Sequence, residues 1–142
     1  LALGSDCPFF IYNKACYASG RGEIIEPIDY NFFKNYKIYI VNPGIHINTG
    51  WAFKQLDLNK TYSNLIDSIS TPVSEWKNCI FNDFEPVVIK QHPELATIKQ
   101  ELYEAGAVYA SMSGSGSTFY GIFEKTANPD FTFNKDYFCQ WV

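Results

Sequence analysis

An α+β fold is predicted, a ferredoxin-like two-layer sandwich with helices on one face of a mostly antiparallel sheet, preceded by a β-hairpin. Three observations predict it. Residues 36–42 alternate around Ile38 and Ile40 and stop at Pro43-Gly44, as a strand does. After Pro93, the residues Leu95, Ile98, Leu102 and Ala105 fall on one helical face, and Gly106 stands where a left-handed stop belongs. Two β-compatible runs, 108–112 and 119–123, flank a Gly/Ser tract. Helices interleaved with mostly antiparallel strands fit helices segregated to one sheet face better than a doubly wound parallel sheet.

Taken in chain order, residues 15–19 and 24–28 are β-compatible and are joined by Gly20-Arg21-Gly22-Glu23, where glycine supplies the positive φ of a tight reversal. The strand at 36–42 follows, then a loop. Thr49 is expected to cap a short helix through Leu56. Residues 59–71 are polar and only weakly helical in pattern, around Leu65, Ile66 and Ile69. Ser74 is a second helix start, running through Ile80. Asn82 and Glu85 have the spacing of a capping box, and Pro86 sits early enough in that helix to be tolerated. Asn128-Pro129-Asp130 marks a surface turn, and residues 137–141 form the last strand.

Composition excludes several classes of function. The 142 residues are 46% hydrophobic, enough for one real core. A net charge of -4 with only 11 Lys and Arg argues against a nucleic-acid binder, which needs a basic face. No apolar run approaches the ~20 residues that span a bilayer, and no signal peptide is seen, so a cytoplasmic protein is expected. The four cysteines lack C-x-x-C spacing and read as reduced. His46 and His92 have no thiol or carboxylate at ligand spacing, so no metal site is expected. The chain also begins without methionine inside what reads as a functional segment, which points to a fragment.

Three places carry possible chemistry. Ser113, Gly114, Ser115, Gly116, Ser117 and Thr118 form a tract whose backbone N–H groups could converge on an oxyanion, with no Cβ in the way at the glycines. It leads into a strand and lacks a Lys-[Ser/Thr] ending, so it is neither a P-loop nor a dinucleotide fingerprint. Composition alone favours a flexible hairpin connection. Asp6, between small residues and an apolar run, is either a general base with a tuned pKa or an ordinary turn residue. Thr49, Trp51 and Phe53 either stack and bond a base or pack a short helix.

The order of segments says more than any one of them. LGSDCPFF (3–10), SGRGE (19–23), IVNPGIHINTGWAF (40–53), NDFEPV (82–87) and LYEAGAVYASMSGSGSTFYGIF (102–123) occur in sequence. That series resembles the second half of the 4-diphosphocytidyl-2-C-methyl-D-erythritol kinase family, within the galactokinase, homoserine kinase, mevalonate kinase and phosphomevalonate kinase (GHMP) superfamily. The resemblance implies transfer of the γ-phosphoryl of ATP, with Mg²⁺, to the 2-hydroxyl of a small cytidylated substrate in non-mevalonate isoprenoid synthesis. It makes Asp6 the catalytic base, Ser113, Gly114, Ser115, Gly116 and Ser117 the glycine-rich turn beside the phosphates, and Thr49 and Phe53 residues near the cytidine.

It further implies that residues 1–35 are a remnant of an N-terminal kinase domain and residues 36–142 the C-terminal domain. The family's main ATP loop, P-G-x-G-L-G-G-G-S-S-like, and its lysine do not occur here, so the isolated chain is expected to be inactive. Without that missing N-terminal domain, the hairpin is expected to lack sheet neighbours, and copies of the chain could self-associate. Two other readings remain at this point: half of a homoserine or mevalonate kinase, or a non-catalytic ligand-binding or interaction module.

Overall fold

The computed structural model describes residues 7–28, 34–57 and 64–142. The chain divides into two compact units, Leu1–Lys34 and Asn35–Val142.

In the first unit, helix α1 (Cys7–Tyr12) precedes strands β1 (Cys16–Ser19) and β2 (Ile24–Pro27). The strands pair antiparallel, from Cys16 opposite Pro27 to Ser19 opposite Ile24, which is the predicted hairpin. Gly20 and Gly22 adopt φ of 70° and 102° in its reversal, which glycine alone does without strain. α1 was not predicted. Its residues Phe10 and Ile11 are 74% and 83% exposed, so this helix does not owe its form to a buried face within the unit.

The second unit holds strands β3 (Tyr36–Asn42), β4 (Tyr109–Met112), β5 (Phe119–Glu124) and β6 (Phe138–Trp141), in the spatial order β4-β5-β3-β6. Every pairing is antiparallel. That is the ferredoxin-like order, with the first strand between the third and the fourth. The crossover from β3 to β4 carries α2 (Thr49–Lys54), α3 (Leu65–Ile69), α4 (Trp76–Cys79), α5 (Phe84–Gln91) and α6 (Glu94–Glu104). The crossover from β5 to β6 has no helix; aromatic side chains of residues 125–137 take its place. Phe131 stacks on Tyr39 with ring centroids 4.1 Å apart and meets Phe123 edge-on at 5.8 Å.

Strand register decides which residues form the core. Val41 and Met112 both lie opposite Phe119, so these side chains share one sheet face. That face packs on Leu95, Ile98 and Leu102 of α6, Val88 of α5 and Ala52 of α2. α6 passes directly over Gly121, where an added Cβ would stand 3.0 Å from a Leu102 methyl. The α6 stripe is the predicted one, and Gly106 at φ 95° ends the helix as expected, its N–H donating to the Tyr103 carbonyl at 2.9 Å.

Three expectations need correction. The first concerns α2, whose cap is Asn48 rather than Thr49: its Oδ1 accepts the Trp51 N–H at 2.8 Å. A second is the Ser74 start, where a 3-10 turn, Val73–Glu75, leads into α4. The third is the capping box. Asn82 Oδ1 accepts the Phe84 N–H at 2.9 Å, but Glu85 does not reach back, because its carboxylate is buried against β4. Within the weakly patterned 59–71 stretch, α3 is capped by Asn64, and residues 58–63 lie outside the described residues.

The opposite sheet face carries Tyr109, Ser111, Tyr120 and Ile122. Trp76 packs edge-on against Tyr109 at 5.7 Å, and the Tyr109 hydroxyl donates to the Ile80 carbonyl at 3.2 Å. Burial pushes the phenols of both Tyr120 and Tyr109 above their ordinary value. An unfolded tyrosine ionises near pH ~10, whereas these two resist ionisation in the fold. Their contribution is therefore complete below that pH and is lost as pH rises through it toward the folded value. The urea midpoint should fall steeply above about pH 10, and Tyr120→Phe should make that fall shallower. Parallel alkaline declines for the two proteins would contradict the assignment.

Candidate active site

The Gly/Ser tract connects β4 to β5, and contacts from distant segments hold its shape. Its base is closed by the Ser113 N–H donating to the Thr118 carbonyl at 2.7 Å, and the Gly116 N–H donates to the Ser113 carbonyl at 3.0 Å. Gly114 and Gly116 have φ of 56° and 95°, conformations that L side chains rarely take. At Gly116 a Cβ would also meet Met112 Sδ at 2.8 Å, so glycine is required there twice over.

Four side-chain bonds tie the tract to the rest of the unit. Ser117 Oγ donates to the Ile45 carbonyl at 2.5 Å, and Asn42 Nδ2 donates to Thr118 Oγ1 at 3.1 Å. Thr49 Oγ1 and Ser115 Oγ lie 2.9 Å apart and share a hydrogen bond. Asn82 Nδ2 donates to the Gly114 carbonyl at 2.8 Å and also to that of Met112 at 2.7 Å. The tract is thus a fixed turn and not a flexible connection.

The segment behind it explains Glu85. β4 is an edge strand, yet all of its residues are buried, so its outward-facing backbone groups need partners other than water. Glu85 Oε2 accepts the Met112 N–H at 2.9 Å and the Ser111 hydroxyl at 3.3 Å. Its other oxygen is bonded to Lys99 Nζ on α6, which compensates the buried charge.

Of the residues singled out in the sequence, Ser113, Gly114, Ser115, Gly116 and Ser117 form the turn, and Thr49 touches it through Ser115. Phe53 stands on the same short helix as Thr49, 59% exposed, with its ring edge-on to Phe84 at 4.9 Å. Trp51 is half-buried against the core. Asp6 lies outside the described residues. Sequence reasoning missed Asn42, Asn82 and Glu85 as supports of the turn. The only available signal was the Asn82/Glu85 spacing, which looked like a cap. Among the described residues, no cluster of three His, Cys, Asp or Glu side chains could hold a metal ion.

What this arrangement offers chemically is a Cβ-poor backbone turn with hydroxyls at its rim, bonded through Ser115 to the short helix that carries the exposed Phe53 ring. Such a turn suits an oxyanion, and the ring suits a flat base. Replacing Gly116 by Ala should destabilise the unit by about 1–3 kcal/mol. Gly114→Ala, whose Cβ would meet nothing within 4 Å, should cost less. Equal losses in chemical denaturation would mean that Met112 does not constrain the turn.

Comparison with known proteins places these features. The family model described as GHMP kinases C terminal matches residues 68–135. The chain is 49% identical over 133 residues to the 4-diphosphocytidyl-2-C-methyl-D-erythritol kinase of Azobacteroides pseudotrichonymphae genomovar. CFP2, covering 93% of this chain and 49% of that protein. It is 47% identical over 132 residues to the same kinase of Bacteroides fragilis (strain YCH46), covering 91% of this chain and 48% of that one. The chain therefore spans about half the length of the curated relatives it matches. A crystal structure of 4-(cytidine 5'-diphospho)-2C-methyl-D-erythritol kinase shares its fold with a TM-score of 0.69 at 23% identity, over 84% of this chain and 44% of that one. No helix among the described residues is long and apolar enough to cross a membrane. Residues 68–135, with the glycine-rich turn among them, are a C-terminal domain of the GHMP kinase family.

Proposed function

We propose that this chain is the C-terminal part of an ATP-dependent, cytoplasmic kinase that phosphorylates the 2-hydroxyl of 4-diphosphocytidyl-2-C-methyl-D-erythritol. The observation that carries the reading is the fixed turn at residues 113–118, bonded through Ser115 to Thr49 on the helix that presents Phe53. It combines a seat for phosphate oxygens with an aromatic face on one framework. Similarity to two kinases of that name over more than nine-tenths of this chain supports the choice of substrate.

In this reading the turn's amides and the hydroxyls of Ser115 and Thr49 hold phosphate oxygens in place while charge moves during transfer. Phe53, braced by Phe84, stacks on the cytosine. Asp6 takes the proton of the substrate hydroxyl as its oxygen attacks the γ-phosphorus. The bond from phosphorus to the β–γ bridging oxygen breaks, and ADP departs. Mg²⁺ accompanies ATP and supplies positive charge to its phosphates. The main ATP loop and lysine belong to the other half of the enzyme, and the isolated chain is inactive.

The test uses the full-length kinase containing this chain. It should transfer phosphate to the cytidylated alcohol and not to homoserine or mevalonate. Asp6→Asn keeps size and a carbonyl acceptor but cannot take a proton, so kcat should fall ~10²–10⁴-fold with KM nearly unchanged. Preference for homoserine or mevalonate would overturn the substrate, and a near-normal kcat in folded Asp6→Asn would remove the base.

A further inference from the structure

We propose that Asn82 is a positioning residue for phosphoryl transfer, coupling the glycine-rich turn to the Phe53–Phe84 pair through the two ends of a single side-chain amide. The proposal deepens the kinase reading and rests on it.

An amide offers donors at its nitrogen and an acceptor at its oxygen, and Asn82 uses both ends. The Nδ2 end spans the strand-to-turn junction, donating to the Met112 carbonyl at 2.7 Å and the Gly114 carbonyl at 2.8 Å. The Oδ1 end accepts the Phe84 N–H at 2.9 Å and so sets the first turn of α5. The reverse orientation would set an oxygen against two carbonyls and an NH₂ against an N–H, so the network admits only one.

Each end has a consequence. A trans peptide points its carbonyl and its N–H in opposite directions. Holding the Gly114 carbonyl toward Asn82 therefore aims the Ser115 N–H away from Asn82. Gly114 itself, at φ 56° and with nothing within 4 Å of where a Cβ would stand, has no side chain to fix that peptide plane. On the other side, Phe84 is the residue on which the Phe53 ring rests at 4.9 Å. A displacement of the proposed phosphate seat and a displacement of the proposed base stack would thus both pass through Asn82.

Two substitutions separate the ends. Asn82→Asp keeps an acceptor for the Phe84 N–H but sets a carboxylate against two carbonyl oxygens, so only the turn is released. Asn82→Ala releases both. In the full-length kinase containing this chain, both should speed amide exchange at residues 113–117 and lower kcat by about tenfold or more, since small misplacements cost rates of that order. Asn82→Asp should hold KM for the cytidylated alcohol within about twofold, whereas Asn82→Ala should raise it severalfold. A merely structural role would move both variants alike. Should Asn82→Asp not fold, Asn82→Ser, which keeps an acceptor but is too short to reach the carbonyls, carries the same expectation.

Unchanged exchange at the turn would overturn the brace, and faster exchange with wild-type kcat would overturn its role in transfer. The same KM change in both variants would overturn the link to the aromatic pair. A wild-type enzyme inactive on the cytidylated alcohol sinks the kinase reading and the role in transfer with it, while the exchange result still decides whether Asn82 holds the turn.

Discussion

A buried strand at the edge of a sheet is the constraint on which the rest of the second unit depends. All of β4 is buried, yet one side of it faces no other strand among the described residues. Its unpaired backbone groups would each cost ~1–3 kcal/mol if left without partners. The chain answers with polar side chains from the start of α5: Glu85 for the Met112 N–H and Asn82 for the Met112 carbonyl. A buried carboxylate then demands a cation, and Lys99 on α6 provides it. The positions of α5 and α6 against the sheet edge follow from that chain of requirements as much as from the apolar stripe of Leu95, Ile98 and Leu102.

The same solution produces the site. β4 runs straight into the glycine-rich turn, so the side chains that satisfy its edge also reach the turn's first carbonyls. On the other flank the loop after β3 supplies the Ile45 carbonyl, and Asn42 and Thr49 supply side chains. The turn's shape is held by bonds within the chain itself, which is the condition under which backbone dipoles would stabilise moving charge well. On the reading proposed above, this unit would contribute a preorganised surface, and the remaining groups for transfer would come from elsewhere in the enzyme.

Much of this was legible in the sequence, and the failures have physical causes. The strand at Tyr36–Asn42, the helix at Glu94–Glu104 and the turn at 113–118 could be read because each depends on local pattern: alternation, a one-sided stripe, consecutive small residues. Caps were read less well. Thr49 and Asn48 are both good caps, and the decision went to Asn48 because Thr49 is engaged by Ser115, 66 positions away. Glu85 has capping-box spacing but serves a strand 27 residues further on. Between β5 and β6 a surface turn and no helix was read, and no helix is there; Phe131 fills that place by stacking on Tyr39. The supports of the turn went unseen for the same reason: no spacing rule connects Asn42 to Thr118 or Asn82 to Gly114.

The central claim is that the turn at 113–118 is a preformed seat for phosphate. It is tested most directly by a crystal structure of the full-length kinase containing this chain, with a non-hydrolysable ATP analogue and the cytidylated alcohol bound. Phosphate oxygens should lie about 3 Å from amide nitrogens of the turn, within ordinary hydrogen-bond reach, and the turn should keep the conformation described. A turn facing solvent with no phosphate oxygen near it, or one that had to refold around the nucleotide, would contradict it.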